Sequence, residues 1–156
     1  MAFEIFSAAR ASVVIAQHPA VQASLLPILH DVQKHFGFVP EAVVPQIAKA
    51  LNISRADVHG VVTFYHDYRC AAPGKTVIKL CRAEACQAMG GDAIADALSA
   101  RLGVAFGETS KNGAVTLEAM YCLGLCACAP AAIINGELRG RLDFESVTDI
   151  LAEVGL

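Results

Sequence analysis

The stretch TVIKLCRAEACQAMGGDAIADALSARLG, Thr76 to Gly103, changes its hydrophobic period part-way through, and that change decides the fold. Thr76 to Cys81 is a short run rich in β-branched residues and suits a strand. Beyond Gly90-Gly91, the residues Ile94, Ala97, Leu98 and Leu102 recur at the three-and-four spacing of a buried helical face. Further on, VTLEAMYC alternates Val115, Leu117, Ala119 and Tyr121 against Thr116, Glu118 and Met120, the two-residue period of a strand. AIINGELR sets Asn135-Gly136 between two strand-like pieces, a strong short-range signal for a tight hairpin. Asp143 is placed to cap a last helix through Leu151. Strand, helix, strand, hairpin and helix in that order predict an α/β or α+β sandwich, with cysteines at the strand ends.

Upstream of Pro73-Gly74 the period stays helical. VQASLLPILHDVQKHFGFVP carries Leu25, Ile28, Leu29, Val32 and Phe36 on one face, and Gly37 is placed to end that helix. Pro40 and Pro45 bracket the start of the next, which runs to about Leu51, because proline is tolerated only in a first turn. Ser54 and Asp57 form a capping-box pattern ahead of VHGVVTFYHDY. The APGK turn is the expected boundary, giving a helical domain over residues 1–72 and a second domain over 73–156. No repeat, low-complexity tract or flexible linker interrupts this order.

Among the 156 residues, 55% are hydrophobic and 17% charged, an apolar excess that predicts a surface covered by a partner. The net charge of -3 and the lack of a Lys/Arg run exclude a nucleic-acid binder, since phosphate neutralisation needs clustered cations; Arg139 and Arg141 alone make no patch. The longest uncharged run, Ala119 to Ile134, falls short of the roughly 20 residues of a spanning helix and is broken by Gly124 and Pro130. No basic start leads into a long apolar stretch, because Glu4 interrupts it. The expectation is a cytoplasmic protein without direct membrane insertion. In a reducing compartment, six cysteines point to metal or redox chemistry before disulfides.

Their spacing sorts them. Cys81 and Cys86 form C-x4-C, Cys122 and Cys126 form C-x3-C after 35 intervening residues, and Cys70 and Cys128 stand apart. Each pair follows a predicted strand, where outward-pointing amides and converging side chains suit an inorganic group. Two such loops supply four thiolates, the complement of a two-iron, two-sulfide cluster. A four-cysteine zinc site, in a zinc-stabilised interaction module, remains the rival; its pairs are usually tighter, with two residues between cysteines. A thioredoxin-type exchange site needs C-x-x-C, which is absent, and a Rieske centre needs histidines near the pairs, which are also absent.

CRAEAC (Cys81–Cys86), followed by GETSKNGAVTLEAMYCLGLCACAP, resembles the 24-kilodalton [2Fe-2S] subunit family of NADH:quinone oxidoreductase, complex I. FGFVPEAVVPQIAKALNISRADVHGVVTFYHDY (Phe36–Tyr68) matches the same family, so the likeness covers nearly the whole chain. The short length and that helical stretch look closest to the gamma subunit of soluble NAD-dependent formate dehydrogenases; subunits of NAD-linked hydrogenases are also similar. The resemblance implies an α+β chain with an N-terminal helical bundle and a thioredoxin-like cluster domain. It puts the cluster ligands on Cys81, Cys86, Cys122 and Cys126. It further implies a partner subunit carrying FMN, NAD and another iron-sulfur cluster, within a larger dehydrogenase complex. There the flavin splits a hydride into single electrons, and this chain, not catalytic alone, exchanges one of them.

The remaining candidates are weaker. Cys70 is expected to pack as a small apolar residue, and Cys128 to lie in the cluster loop without binding iron. His59 and His66 are read as sharing a face of the fourth helix, with Tyr65 and Tyr68, in packing or subunit contacts. His18, His30 and His35 are read as surface or satisfied polar groups. Gly90-Gly91 lacks the G-x-G-x-x-G fingerprint and is read as a flexible helix start. No Ser/His/Asp arrangement or carboxylate pair indicates a self-contained hydrolase.

Overall fold

A computed structural model describes residues 3–155, which fall into two compact units, one up to residue 72 and one from residue 73 onward. The first is all helical. Helix α1 (Ala8–Ala16) starts at Ser7, whose hydroxyl accepts the Arg10 N–H. Helix α2 (Leu25–Phe36) buries Leu25, Ile28, Leu29, Val32 and Phe36, and Gly37 terminates it at φ +82°, donating its N–H to Gln33 O at 2.7 Å. Helix α3 (Val44–Leu51) carries Pro45 in its first turn and ends on Asn52 at φ +52°. Helix α4 (Arg55–Phe64) opens with the capping box anticipated at Ser54 and Asp57. Phe36, Ile28, Ile47 and Val58 lie at the centre of the shared core, and the Phe6 ring meets Phe36 edge-on at 5.3 Å.

Two expectations for this unit are corrected. Helix α4 stops at Phe64, and Tyr65 is extended at ψ +105°, so His66 lies beyond the helix and shares no helical face with His59. Cys70 is exposed and does not pack as an apolar residue, because it sits in the irregular stretch after Tyr68, past the last residue of this core. The other three histidines fit the expectation of surface or satisfied polar groups: His18 meets Asp31 at 2.8 Å, His35 meets Glu4 at 3.6 Å, and His30 is exposed beside the Tyr68 ring.

The second unit is a five-stranded sheet in the order β2-β3-β1-β4-β5, built from β1 (Thr76–Cys81), β2 (Glu108–Thr109), β3 (Val115–Met120), β4 (Ala131–Ile134) and β5 (Glu137–Gly140). Strand β1 is central, parallel to β3 and antiparallel to β4. Two helices occupy the crossover from β1 to β3, the short α5 (Glu84–Ala88) and α6 (Gly91–Leu102), and α7 (Phe144–Glu153) closes the chain. The β4–β5 hairpin turns at Asn135 (φ +50°) and Gly136 (φ +92°), the pair of left-handed residues that a two-residue turn of this hand requires. The Asn135 side chain also accepts the Val77 N–H at 2.9 Å and fixes the turn to the sheet. Asp143 caps α7 through a reciprocal bond with Ser146.

Ile78, Leu80, Val115, Leu117, Ala132 and Ile134 face one core with Ile94, Leu98, Val147 and Ile150, so α6 and α7 cover one face of the sheet. On the other face Lys79 and Glu118, register partners on neighbouring strands, pair at 3.4 Å. The fold class is α+β. The anticipated alternation in β3 is not matched by burial: Val115, Thr116 and Leu117 are all buried, Thr116 bonding Thr109 Oγ1 and the Gly74 N–H, while Tyr121 is 78% exposed because the strand ends at Met120 before it. Among the described residues no helix is long and apolar enough to cross a membrane.

Candidate metal centre

Parallel pairing positions the cysteines. Cys81 ends β1 directly opposite Met120, the last residue of β3, so the two strands deliver their following loops at the same edge of the sheet. Cys86 lies within α5, five residues beyond Cys81. After β3 the chain turns at Cys122 (φ +95°) and Gly124 (φ +74°) and enters a short 3-10 turn, Cys126–Cys128. A non-glycine residue at such a φ is uncommon and costs on the order of 1–3 kcal/mol; it persists where surrounding structure holds it, as at binding sites. The Ala129-Pro130 bond that leads into β4 is cis.

Each loop is seated against a glycine. A Cβ on Gly91, in the first turn of α6, would stand 2.5 Å from the carbonyl oxygen of Cys86, so only a residue without a side chain allows α6 to back the Cys86 segment this closely. Gly91 is therefore a close-approach site, whereas Gly90 before it has open space and a left-handed φ of +86°, so the pair is not merely a flexible helix start. A Cβ on Gly140, at the end of β5, would lie 2.8 Å from both the Cβ and the carbonyl oxygen of Cys128. Next to it the Arg141 N–H donates to Cys128 O at 2.6 Å, and the Leu142 N–H donates to Pro130 O at 3.0 Å. The end of the hairpin thus holds the second cysteine loop from behind. Spacing reveals neither seat, although a Gly-Gly pair just after C-x4-C is visible in the sequence.

The four sulfurs differ in exposure and share one electrostatic environment. Cys81 and Cys86 are buried, at 3% and 2% exposure, in a small apolar nest with Ala129 and Ala131, flanked by Ala83, Leu123 and Leu125. Cys122 and Cys126 are exposed, and their sulfurs stand 3.8 Å apart. Burial pushes the Cys81 thiol up, but the amides of Ala83, Cys122 and Leu123, with the Cys86 thiol, outweigh it and bring it below the usual thiol range. Burial and then the Cys81 sulfur raise Cys86, against one lowering contact from the Ala131 amide. Cys126 is raised by the Cys122 thiol and, further, by the charges of Cys122 and Cys81. The Gly124 N–H points at Cys122 Sγ, 3.4 Å away.

This donor set fits an iron-sulfur cluster. Two thiolates about 2.3 Å from one tetrahedral metal stand about 3.8 Å apart, the separation of Cys122 and Cys126. Among the described residues, however, no three His, Cys, Asp or Glu donors close on a single-ion position. The sulfurs pair as Cys81 with Cys86 and Cys122 with Cys126, an arrangement in which each pair could hold one metal of a two-metal group. Amides aimed at sulfur supply the hydrogen bonds that such a cluster uses, and thiols that raise one another are relieved by a cationic centre. Cys128 is half-buried, its backbone engaged with Gly140 and Arg141, and Cys70 lies in the other unit.

Residues 11–155 match the model of the thioredoxin-like [2Fe-2S] ferredoxin family. The chain belongs to that family. A [2Fe-2S] cluster is the cofactor of the thioredoxin-like [2Fe-2S] ferredoxins. Among curated relatives, the chain is 33% identical over 145 residues to NAD-reducing hydrogenase HoxS subunit alpha of Cupriavidus necator, an alignment covering 93% of this chain and 24% of that one. It is 34% identical over 138 residues to a subunit of the NADH-quinone oxidoreductase of Mycobacterium tuberculosis, covering 88% of this chain and 55% of the relative. The chain thus spans about a quarter of the first and about half of the second. The crystal structure of an NAD+-reducing [NiFe]-hydrogenase in the air-oxidised state has the same fold, with a TM-score of 0.76 at 20% identity over 87% of this chain and 23% of that one.

Proposed function

We propose that this thioredoxin-like [2Fe-2S] ferredoxin is the electron-transfer subunit of an NAD-linked oxidoreductase, with Cys81 and Cys86 holding one iron and Cys122 and Cys126 the other. The observation that carries the reading is the delivery of both cysteine pairs to one sheet edge by the parallel β1–β3 register. A cluster held there supplies a one-electron couple. The chain's own residues do the rest. Ala83, Leu123, Leu125, Ala129 and Ala131 keep water from the buried pair, and the amides of Ala83, Cys122, Leu123, Ala131 and Gly124 offset negative charge on sulfur. Cys122 and Cys126 face outward, which makes their side the edge for exchange with a partner.

The partner in this reading is an FMN- and NAD-binding iron-sulfur subunit, and the electron passes between its flavin and this chain. Relatives named as a subunit of an NAD-reducing hydrogenase and as a subunit of NADH-quinone oxidoreductase support an NAD-linked complex. Within that class we assign the chain to a soluble NAD-dependent formate dehydrogenase, on the likeness of the Phe36–Tyr68 segment to the gamma subunits of those enzymes. Purification from cell extract with its bound chains is the decisive experiment. The reading expects two iron and two acid-labile sulfide in the chain once separated from its partners, a paramagnetic signal from it on reduction, and co-purifying flavin and molybdenum subunits active on formate. Stoichiometric zinc would end the cluster assignment, and a co-purifying nickel-iron subunit would reassign the complex.

A further inference from the structure

Arg82 follows the proposed ligand Cys81 directly, so its Cα lies about 3.8 Å from that of a cluster residue. Its N–H donates to Met120 O at 2.7 Å, which carries the β1–β3 pairing one residue past the strand and fixes the backbone where the first cysteine loop leaves the sheet. The guanidinium is held on two sides. One terminal nitrogen bonds Asp92 Oδ1 at 3.0 Å, and the cation lies over the Phe106 ring at 5.1 Å from its centroid. Nε is buried and has no hydrogen-bond partner among the described residues. Leaving such a donor unpaired costs on the order of 1–3 kcal/mol, so this guanidinium is partly withdrawn from water at its Nε end.

Asp92, in the first turn of α6, follows Gly91, the residue seated against the Cys86 carbonyl. The ion pair therefore spans the C-x4-C loop, with Arg82 beside the first cysteine and Asp92 beside the glycine that backs the second. The two ends of the pair differ in setting, since the Arg82 side chain is 27% exposed and the Asp92 side chain 55%. The guanidinium is the less exposed of the two charges, so solvent screens it less than it screens the carboxylate. A positive field favours the reduced state of a cluster, which carries one more negative charge.

We propose that Arg82 is a positioning and tuning residue that raises the reduction potential of the cluster, with Asp92 moderating it. This rests on the cluster reading above. The test is a potentiometric titration, followed by electron paramagnetic resonance, of the cluster-loaded chain as wild type, Arg82→Gln, Arg82→Lys, Asp92→Asn and the double variant Arg82→Gln/Asp92→Asn. Arg82→Gln is expected to lower the potential and Asp92→Asn to raise it. In each case the reduced-to-oxidised ratio at a fixed potential should change by about twofold to tenfold, tenfold being 59 mV for one electron. Arg82→Lys should restore most of the wild-type value, and the double variant should lie between the singles.

A merely structural role would move both single variants in the same direction, through loosening of the loop, and that result would overturn the proposal. So would unchanged potentials in variants that keep their clusters. If Arg82→Gln does not hold a cluster, Asp92→Asn and Arg82→Lys decide: a raised potential in the first and a near-wild-type one in the second support tuning, and any other pair of values rejects it. Wild-type protein without iron and sulfide would overturn the underlying cluster reading and this proposal with it, a failure distinct from a loaded protein whose potential ignores both substitutions.

Discussion

Replacing Gly91 by alanine is a sharp probe of how the fold holds its first cysteine loop. The added methyl would sit 2.5 Å from Cys86 O and 2.9 Å from Cys86 C. Carbon and oxygen in ordinary contact stand roughly 3.2–3.6 Å apart, as in the weak C–H···O contacts between strands, so the first turn of α6 and the Cys86 segment must separate by roughly 0.7 Å or more. The obstacle is backbone on one side and helix on the other, and neither has a rotamer with which to yield. Alanine at an ordinary helical position stabilises by about 1 kcal/mol relative to glycine. Overpacking costs about 1–3 kcal/mol, and a clash with backbone that has no rotamer to yield belongs in the upper part of that range, about 2–3 kcal/mol, so we expect a net destabilisation of about 1–2 kcal/mol in chemical denaturation of cluster-free protein. In loaded protein the displaced Cys86 should show as altered visible absorption and faster loss of iron to a chelator. A Gly91→Ala protein as stable as wild type, or more so, with an unchanged spectrum would refute the close-approach argument. Gly90→Ala, where a Cβ meets nothing within 4 Å but φ is +86°, is the control: it should cost stability through backbone strain and leave the spectrum alone.

Further expectations concern the ligands, the second seat, the core and pH. Serine at Cys81, Cys86, Cys122 or Cys126 should lose or severely alter the cluster, whereas Cys70→Ser, in the helical unit, should leave iron content and absorption unchanged; an intact spectrum in Cys122→Ser would break the ligand set. Gly140→Ala should push Cys128 and its loop outward and speed iron release, measured as the rate of bleaching with a chelator. Leu117→Ala, fully buried under α6 and α7, should cost about 2–5 kcal/mol of unfolding free energy in denaturant. The carboxyl of Asp57 is held below its usual range by the Ser54 hydroxyl and amide, and that of Asp143 by the Ser146 amide and hydroxyl. Their folded values lie below their unfolded ones, so the stabilisation is complete above about pH 4 and is lost as pH falls through the folded values. Asp57→Asn and Asp143→Asn should flatten the acid limb of a melting-temperature profile, read by thermal denaturation.

Local signals were legible where one short-range rule decides the outcome. The capping residues Ser54 and Asp143, the Gly37 helix end and the Asn135-Gly136 turn each announce themselves within four residues, and the structure contains all of them. The parallel pairing of β1 with β3 is not local, because 33 residues separate the strands, and without it the two cysteine pairs have no reason to meet. Tyr121 illustrates the limit of period counting: alternation continues through it in sequence, but the chain has already left the sheet to place Cys122. Gly140 and Arg82 were invisible for the same reason, since their significance lies in what approaches them from elsewhere in the chain.

One consequence of the side-by-side strand ends concerns assembly. On the proposed ligand set, a bridge from Cys86 to Cys122 ties off the 35 residues between them, which include α6, β2 and β3. Treated as a chemical crosslink, a loop of that length removes enough freedom from the unfolded chain to contribute about 4 kcal/mol. The inorganic group would then act as a staple as well as a carrier, and newly made chains awaiting iron would be the form most open to proteolysis and aggregation.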